Sequence, residues 1–359
     1  MPFPILRTPL VVLSEIISLL EPNEIVTASF CSKNVKRLLK YHYQRRKPLG
    51  WRLFLIQYED CRHWISIETP EDGKRIEVLS AEHISKLKKP IPASLATNEF
   101  ITEYKLGYVD LYYEDQVMGS KTILDYVTDL FNLDIYGLEI DRYGTWVLDW
   151  INERKEKMLI SFEFNETAHS GNNSYGDEAL DYVLRNLPAS DSYILDEFVS
   201  EKFRSDGKLG PANHLLIDSY GHWVTLENLM NFDFIKIVIN ESRLSVSDVY
   251  SFLRHWRTGG SPRLTFLRLE FESQRIFENF EDMLGVVETE ISGEYRLYDG
   301  ENRHFDHGYS IQRNDGVKAV LDFGEEHFVM MVCIGENVYD RINYRKKNSD
   351  QQFLLHQVV

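Results

Sequence analysis

Apolar residues recur at helical spacing from the start of the chain. Val12, Leu13, Ile16, Ile17 and Leu20 form one stripe, Ile25, Val26 and Phe30 a second, and Val35, Leu38 and Leu39 a third. Thr8 as N-cap and Pro9 at the first helical position predict a helix ending near Glu21. Pro22 opens a second helix, and Ser32 caps a third.

Farther on, the period changes. Helical patterns at Thr122–Phe131, around Trp146, Val147, Trp150 and Ile151, and at Ala179–Leu187, Leu226–Met230 and Ser245–Trp256 alternate with strand patterns. The strands read as Ile135–Ile140, Leu159–Phe164, Tyr193–Phe198, Leu215–Ile217, Ile235–Ile239 and Leu264–Phe271. A strand–helix–strand unit every ~20 to 35 residues predicts parallel strands with returning helices, like a leucine-rich-repeat solenoid. The asparagine ladder of a regular repeat is missing, so an open parallel sheet fits as well. Trp51–Tyr58, Trp64–Glu68 and Arg75–Leu79 read as short strands before this region, and Lys86–Pro92 as a turn-rich connection. After it, Tyr295–Tyr298, Tyr309–Arg313, Val317–Phe323 and Phe328–Ile334 alternate around Asp299-Gly300, Asn314-Asp315-Gly316 and Gly324-Glu325, which are hairpin signals. The expected class is α/β, α+β overall: three helices in 1–47, a connecting β-rich segment in 48–120, a repeat-like parallel β/α body in 121–290, and antiparallel strands with a tail in 291–359. The last strands are expected to close an edge of the parallel sheet.

A helical unit of this size cannot enclose its own apolar residues, because below ~40 residues a fold usually needs a metal, disulfides or a partner. Leu6, Pro9, Leu10, Val12 and Leu13 crowd its start, and Pro22, Ile25 and Val26 its second helix, so a partner is expected to cover part of this surface. Cys31, Cys61 and Cys333 have no metal-ligand or disulfide spacing and suit a reducing compartment, with cytoplasm or nucleus as the expected location. The formal net charge is −16; eight Lys and Arg against three Glu give +5 over residues 1–50 and leave −21 for the rest. Such a body repels nucleic acid, and the basic run Lys33, Lys36, Arg37, Lys40, Arg45, Arg46, Lys47 reads as one solvated helix face. Glu15 interrupts the apolar run Leu10–Leu20, no signal cleavage site follows it, and no window approaches the ~18 apolar residues of a membrane span. Without secretion, the sequons at Asn165, Asn172 and Asn240 carry no glycan.

The run Leu6-Arg-Thr-Pro9, Ile16-Ile17, Leu20-Glu-Pro22-Asn-Glu24-Ile25-Val26 and Cys31-Ser32-Lys33 resembles the F-box, by which substrate receptors bind the Skp-type adaptor of cullin-based ubiquitin ligases. Thr8-Pro9 stands where the family usually has Leu-Pro, and Val35 where an aromatic is common; both substitutions match nematode-type F-boxes. The resemblance implies an adaptor, and through it a cullin, as partners. Leu6, Pro9, Val12, Leu13, Ile16, Leu20, Pro22, Ile25 and Val26 are the expected adaptor contacts. A second stretch, Leu244-Ser-Val-Ser-Asp248-Val-Tyr-Ser-Phe252-Leu-Arg-His-Trp256-Arg-Thr-Gly-Gly-Ser-Pro262-Arg-Leu264, resembles the F-box associated domain expanded in nematodes. Gly308-Tyr-Ser-Ile311-Gln-Arg313-Asn-Asp-Gly316 resembles the terminal hairpin of that domain. Together they imply a substrate-binding body for an unidentified protein target.

No phosphate-binding GxxxxGK, GxGxxG, HExxH or GxSxG is present, so neither catalysis nor a cofactor is expected. Gly259-Gly260-Ser261 reads as a helix stop, Phe252, His255 and Trp256 as packing, and His304, Asp306 and His307 as three hairpin-loop residues with no fourth metal ligand. The expected target face is the side of the parallel strands away from the helices. With Ile235, Ile237, Ile239, Leu267, Leu269 and Phe271 turned to the helices, Lys236, Val238, Arg268 and Glu270 face outward, joined by Leu216 and Asp218. The competing classes are a repeat-type binding scaffold outside the ubiquitin system, and an enzyme whose pocket is formed only in the folded chain.

Overall fold

A computed structural model describes residues 9–46, 50–58, 63–70, 73–87, 101–105, 107–153, 159–165, 175–187, 190–206, 208–277, 287–296 and 302–333. The first helix, α1 (Leu10–Ser18), is shorter than its stripe predicts, with Pro9 at the N-cap and Leu19 at the C-cap. The next two begin where expected. Pro22 sits in the first turn of α2 (Pro22–Cys31), and a capping box between Glu21 and Glu24 satisfies backbone N–H groups there. At the start of α3 (Lys33–Arg45) the Ser32 hydroxyl accepts the Asn34 N–H.

The chain forms two compact units, residues 1–159 and 160–359. The first holds α1–α3, β1 (Arg52–Gln57), β2 (His63–Glu68), β3 (Arg75–His83), β4 (Ile101–Lys105), β5 (Tyr108–Tyr113), α4 (Gln116–Phe131), β6 (Ile135–Ile140) and α5 (Trp146–Glu153). Its strands run in the order β6-β1-β2-β3-β5-β4, with β1–β6 and β3–β5 parallel and the other pairs antiparallel. Strands β4 and β5 lie in the segment expected to be β-rich, at residues where no individual strand was marked. The long helix α4 starts at Asp115, whose carboxylate accepts the Met118 N–H, and ends at Asn132 in the left-handed conformation. It packs Ile123, Leu124 and Val127 on the sheet; at Gly119 a Cβ would lie 2.5 Å from the Tyr113 ring, so only glycine permits that approach.

Helix α2 packs on β3, β5 and α3, and α3 on α4. Tyr126 of α4 stacks on Phe30 at 4.7 Å between centroids, and its hydroxyl bonds the Ser29 hydroxyl at 2.7 Å. The three N-terminal helices thus have a floor in their own chain, where the sequence pointed to a partner for cover.

The second unit holds β7 (Leu159–Asn165), α6 (Asp177–Asn186), β8 (Ser190–Asp196), β9 (Ala212–Ile217), α7 (Leu226–Asn231), β10 (Phe234–Ser242), α8 (Val246–Arg257), β11 (Phe266–Phe271), β12 (Val287–Arg296), β13 (Asn302–Gln312), β14 (Lys318–Phe323) and β15 (His327–Cys333). The order is β7-β8-β9-β10-β11-β15-β14-β13-β12. Strands β8 to β11 are parallel, and β11, β15, β14, β13 and β12 pair antiparallel in turn. The mixed α/β class and the antiparallel closure of one side of the parallel sheet follow the sequence expectation. The turns at Asn314-Asp315-Gly316 and Gly324 fall where the hairpin signals put them, while Asp299-Gly300 lies outside the described residues.

Helix α8 shows why the pattern was legible. Ser245 and Asp248 form a capping box, Val249, Phe252, Leu253 and Trp256 are buried, and Gly259 at φ +101° takes the stop that a side chain would resist.

Candidate functional site

Two surfaces carry the residues expected to meet partners. In the first unit, α1 carries apolar residues well beyond one stripe, and several stay uncovered: Val11 is 75%, Val12 49% and Leu19 83% exposed. Val12, half-buried Ile16 and Leu19 follow i, i+4, i+7 spacing and line one side of the helix. Beside it, α1 and α3 form a groove with Leu13, Ile17 and Leu38 in its floor and Tyr41, Arg45 and Arg46 at its rim. Arg46 donates to the Ser14 hydroxyl at 2.7 Å, which ties the two helices.

The expected adaptor contacts divide by position. Pro9 and Val12 are exposed, and Ile16 and Leu20 are half-buried. Leu13, Pro22, Ile25 and Val26 are buried, Ile25 and Val26 completely, and Leu6 lies outside the described residues. The physical reason is the floor under α2: the side that would have been open in a free three-helix unit is the side facing the sheet. The sequence reasoning missed Val11, Leu19 and Tyr41. Their signal was available in α1, whose run Leu10, Val11, Val12, Leu13, Ile16, Ile17 exceeds a single stripe.

The basic run is only partly solvated. Lys36 lies 3.7 Å above the Tyr126 ring, and Lys40 pairs with Asp129 at 2.5 Å, so both cations tie α3 to α4. Lys47 is outside the described residues.

In the second unit the register brings the expected target residues together. Leu216 lies opposite Val238, and Val238 opposite Arg268. One pair earlier, His214 lies opposite Lys236 and Lys236 opposite Phe266. Past this row, the Asn240 amide donates to the Asp218 backbone oxygen at 2.9 Å and to its carboxylate at 3.2 Å, and Arg268 donates to Glu270 at 2.8 Å. Lys236, Val238, Arg268 and Glu270 are half-buried and Asp218 is exposed, whereas Leu216 is 4% exposed and forms part of the core. Leu216 presents no surface to a partner: in register between Ile194 and Val238, it is packed among apolar side chains.

Polar capacity is left over on this face. His214 Nδ1, Arg268 Nε and Asn240 Oδ1 are buried atoms with no hydrogen-bond partner among the described residues. Leaving such atoms unpaired costs about 1–3 kcal/mol each. Burial and the neighbouring Lys236 hold His214 down to a pKa of about 4, against a smaller upward pull from Asp191. Partial burial, then the negative charges of Asp196 and Glu270, raise the Asp218 carboxyl, and the Asn240 hydrogen bond opposes them.

No group of three metal-ligating side chains occurs among the described residues; the side chains of His304, Asp306 and His307 lie outside them, as does Cys61. No helix among the described residues is long and apolar enough to cross a membrane. Cys31 is a free, exposed thiol.

Family models match residues 9–47 as an F-box domain and residues 209–269 as an F-box associated domain. The first match covers α1 to α3, and the second runs from just before β9 into β11, across the proposed target face. Neither a curated protein nor a solved structure matches the chain.

Proposed function

The chain is an F-box protein with an F-box associated domain, and from that premise we propose that it is the substrate receptor of a Skp-cullin-F-box ubiquitin ligase. An F-box followed by an F-box associated domain supports the adaptor role in such ligases and binding to a Skp-type subunit, and thus to a cullin. The finer reading is that the uncovered side of α1 and the groove beside it meet the Skp-type subunit, while the outward face of β9 to β11 holds the target. One observation carries it: aliphatic side chains stand in solvent within the residues matched as the F-box. Burying a Val or Leu side chain at an interface stabilises it by ~1.5–3 kcal/mol, so Val12, Ile16 and Leu19 together supply several kcal/mol of adaptor affinity.

In this reading the chain performs no chemistry. It raises the local concentration of target lysines near a ubiquitin-charged enzyme supplied by other subunits, where a tethered reaction gains through effective concentration. Three cysteines scattered without disulfide or metal-ligand spacing support a reducing site of action, in cytoplasm or nucleus.

The test uses the whole chain, because α2 rests on β3 and β5 and a fragment of residues 1–50 would lose its floor. A Val12→Asp, Leu19→Asp variant is expected to keep its thermal unfolding midpoint and lose the co-purified adaptor. Undiminished adaptor in that variant would overturn the docking surface. Separately, Lys236→Glu with Arg268→Glu is expected to change the other co-purified proteins while the adaptor stays; an identical set removes the target face.

A further inference from the structure

We infer that the end of the parallel sheet in the second unit holds a cationic side chain, arginine above all, from an extended basic segment of the target. The inference deepens the receptor reading and rests on it.

Three aromatic rings from three separate loops form a ladder there. Tyr175, just before α6, is 54% exposed and lies 4.8 Å between centroids from Phe198, in the loop after β8. Phe198 in turn lies 4.9 Å from Tyr220, in the loop after β9, with the rings at 67°. The backbone fixes these positions: the Gly176 N–H donates to the Phe198 carbonyl at 2.8 Å, and the Tyr220 N–H to the Glu241 carboxylate at 3.2 Å. A large aromatic ring exposed to water while its neighbours are held by hydrogen bonds forms a preorganised binding edge.

Carboxylates lie close in the chain to two of the rings. Phe198 follows Asp196 by two residues and Tyr220 follows Asp218 by two. Asp196 is hydrogen-bonded by the Ser219 hydroxyl and Asp218 by the Asn240 amide, and neither is paired with a cation among the described residues. The nearby guanidiniums are already engaged, Arg243 by Glu201 and Glu272, and Arg268 by Glu270. Partial burial raises the Asp218 carboxyl first, and the neighbouring Asp196 and Glu270 charges add to it.

Charge complementarity selects the occupant. Aromatic faces and carboxylates both attract cations, and the chain beyond residue 50 carries −21, which steers a basic segment inward and an acidic one away. Arginine fits better than lysine, since a planar guanidinium stacks on a ring while its edge forks onto a carboxylate.

The experiment measures fluorescence polarisation of a labelled Gly-Arg repeat peptide with the full-length chain at physiological salt, beside Gly-Lys and Gly-Glu peptides of equal length. The arginine peptide is expected to bind most tightly and the glutamate peptide not at all. Tyr175→Ala and Asp218→Asn are each expected to weaken arginine binding about tenfold. Glu227→Gln, an exposed acid on α7, is expected to leave it unchanged. Equal weakening by Glu227→Gln, or none by Tyr175→Ala in a chain with unaltered melting, overturns the inference. Adaptor capture on the same preparations keeps the two questions apart: a retained adaptor with no ladder effect defeats the cation site alone, and an adaptor that wild type never captures defeats the receptor reading.

Discussion

The helical surface of the first unit and the sheet face of the second, the two surfaces proposed to meet partners, are of opposite construction. On α1, contiguous aliphatic side chains stand in water with a ready-made groove beside them, so docking gains chiefly from removing apolar area. On β9 to β11, charged and polar side chains alternate with apolar ones, and His214 Nδ1, Arg268 Nε and Asn240 Oδ1 are buried without a hydrogen-bond partner among the described residues. Docking there gains from completing hydrogen bonds and charges, which favours specificity over bulk affinity. A surface that meets one constant partner can be greasy; a surface that discriminates among targets needs unsatisfied polar groups that only the right partner completes.

The comparison breaks most decisively at α1. Val12→Asp with Leu19→Asp is expected to lower adaptor affinity by about 10³-fold or more, read by calorimetric titration, because two aliphatic contacts are lost and two charges desolvated. Changing Lys236 and Arg268 instead is expected to leave that affinity within about twofold, since a half-buried charge outside the contact contributes little.

Ile25 separates supporting residues from contacting ones. Fully buried between α2 and its floor, it is expected to cost about 2–5 kcal/mol on Ile25→Ala, measured by urea unfolding. Adaptor loss without that loss of stability would return Ile25 to the interface.

The two units share a liability to acid. Burial, helped by Lys86, holds His63 down to a pKa of about 4, and its Nδ1 pairs with the Ser120 hydroxyl at 2.6 Å; His214 in the second unit is also held near 4. A histidine whose folded pKa lies below its unfolded value near 6.5 is neutral in both states above that pH. As pH falls from about 6.5 towards 4 the unfolded chain takes up the proton first, so stability is lost across that window. For His63 the loss is expected to be about 2 kcal/mol at pH 5, and His63→Gln should flatten the fall in the first unit while leaving that of the second. An unchanged pH profile in His63→Gln would show that its environment is wetter than the packing implies.

The smallest expected effect lies in α8. Ser245→Ala removes the oxygen that accepts the Asp248 N–H at 3.1 Å and should cost about 1 kcal/mol, with adaptor binding unmoved.

Much of the architecture was legible because local rules and tertiary packing agree. Strand β6 falls at the residues its apolar run marks, α2 and α3 begin at Pro22 and beside Ser32, and α8 carries its capping box, its buried stripe and its glycine stop in adjacent letters. Strands β4 and β5 were not legible. Ile101–Lys105 is mostly exposed, and β5 buries Asp110 completely beside the Ser80 hydroxyl and Lys105, so neither shows the alternation that marks a half-buried strand.

The site divides the same way. Helical and strand periods alone placed Lys236, Val238, Arg268 and Glu270 on one sheet face and Val12 and Ile16 on one side of α1, because side-chain direction follows from backbone geometry. Which apolar residues of the N-terminal helices stay open was settled by residues far along the chain: β3, β5 and α4 cover Ile25 and Val26 and leave Val11, Val12 and Leu19 in water. The same holds for the aromatic ladder, whose three rings come from loops separated in sequence. Periodicity reports a side chain's direction, but only the fold supplies what stands in that direction.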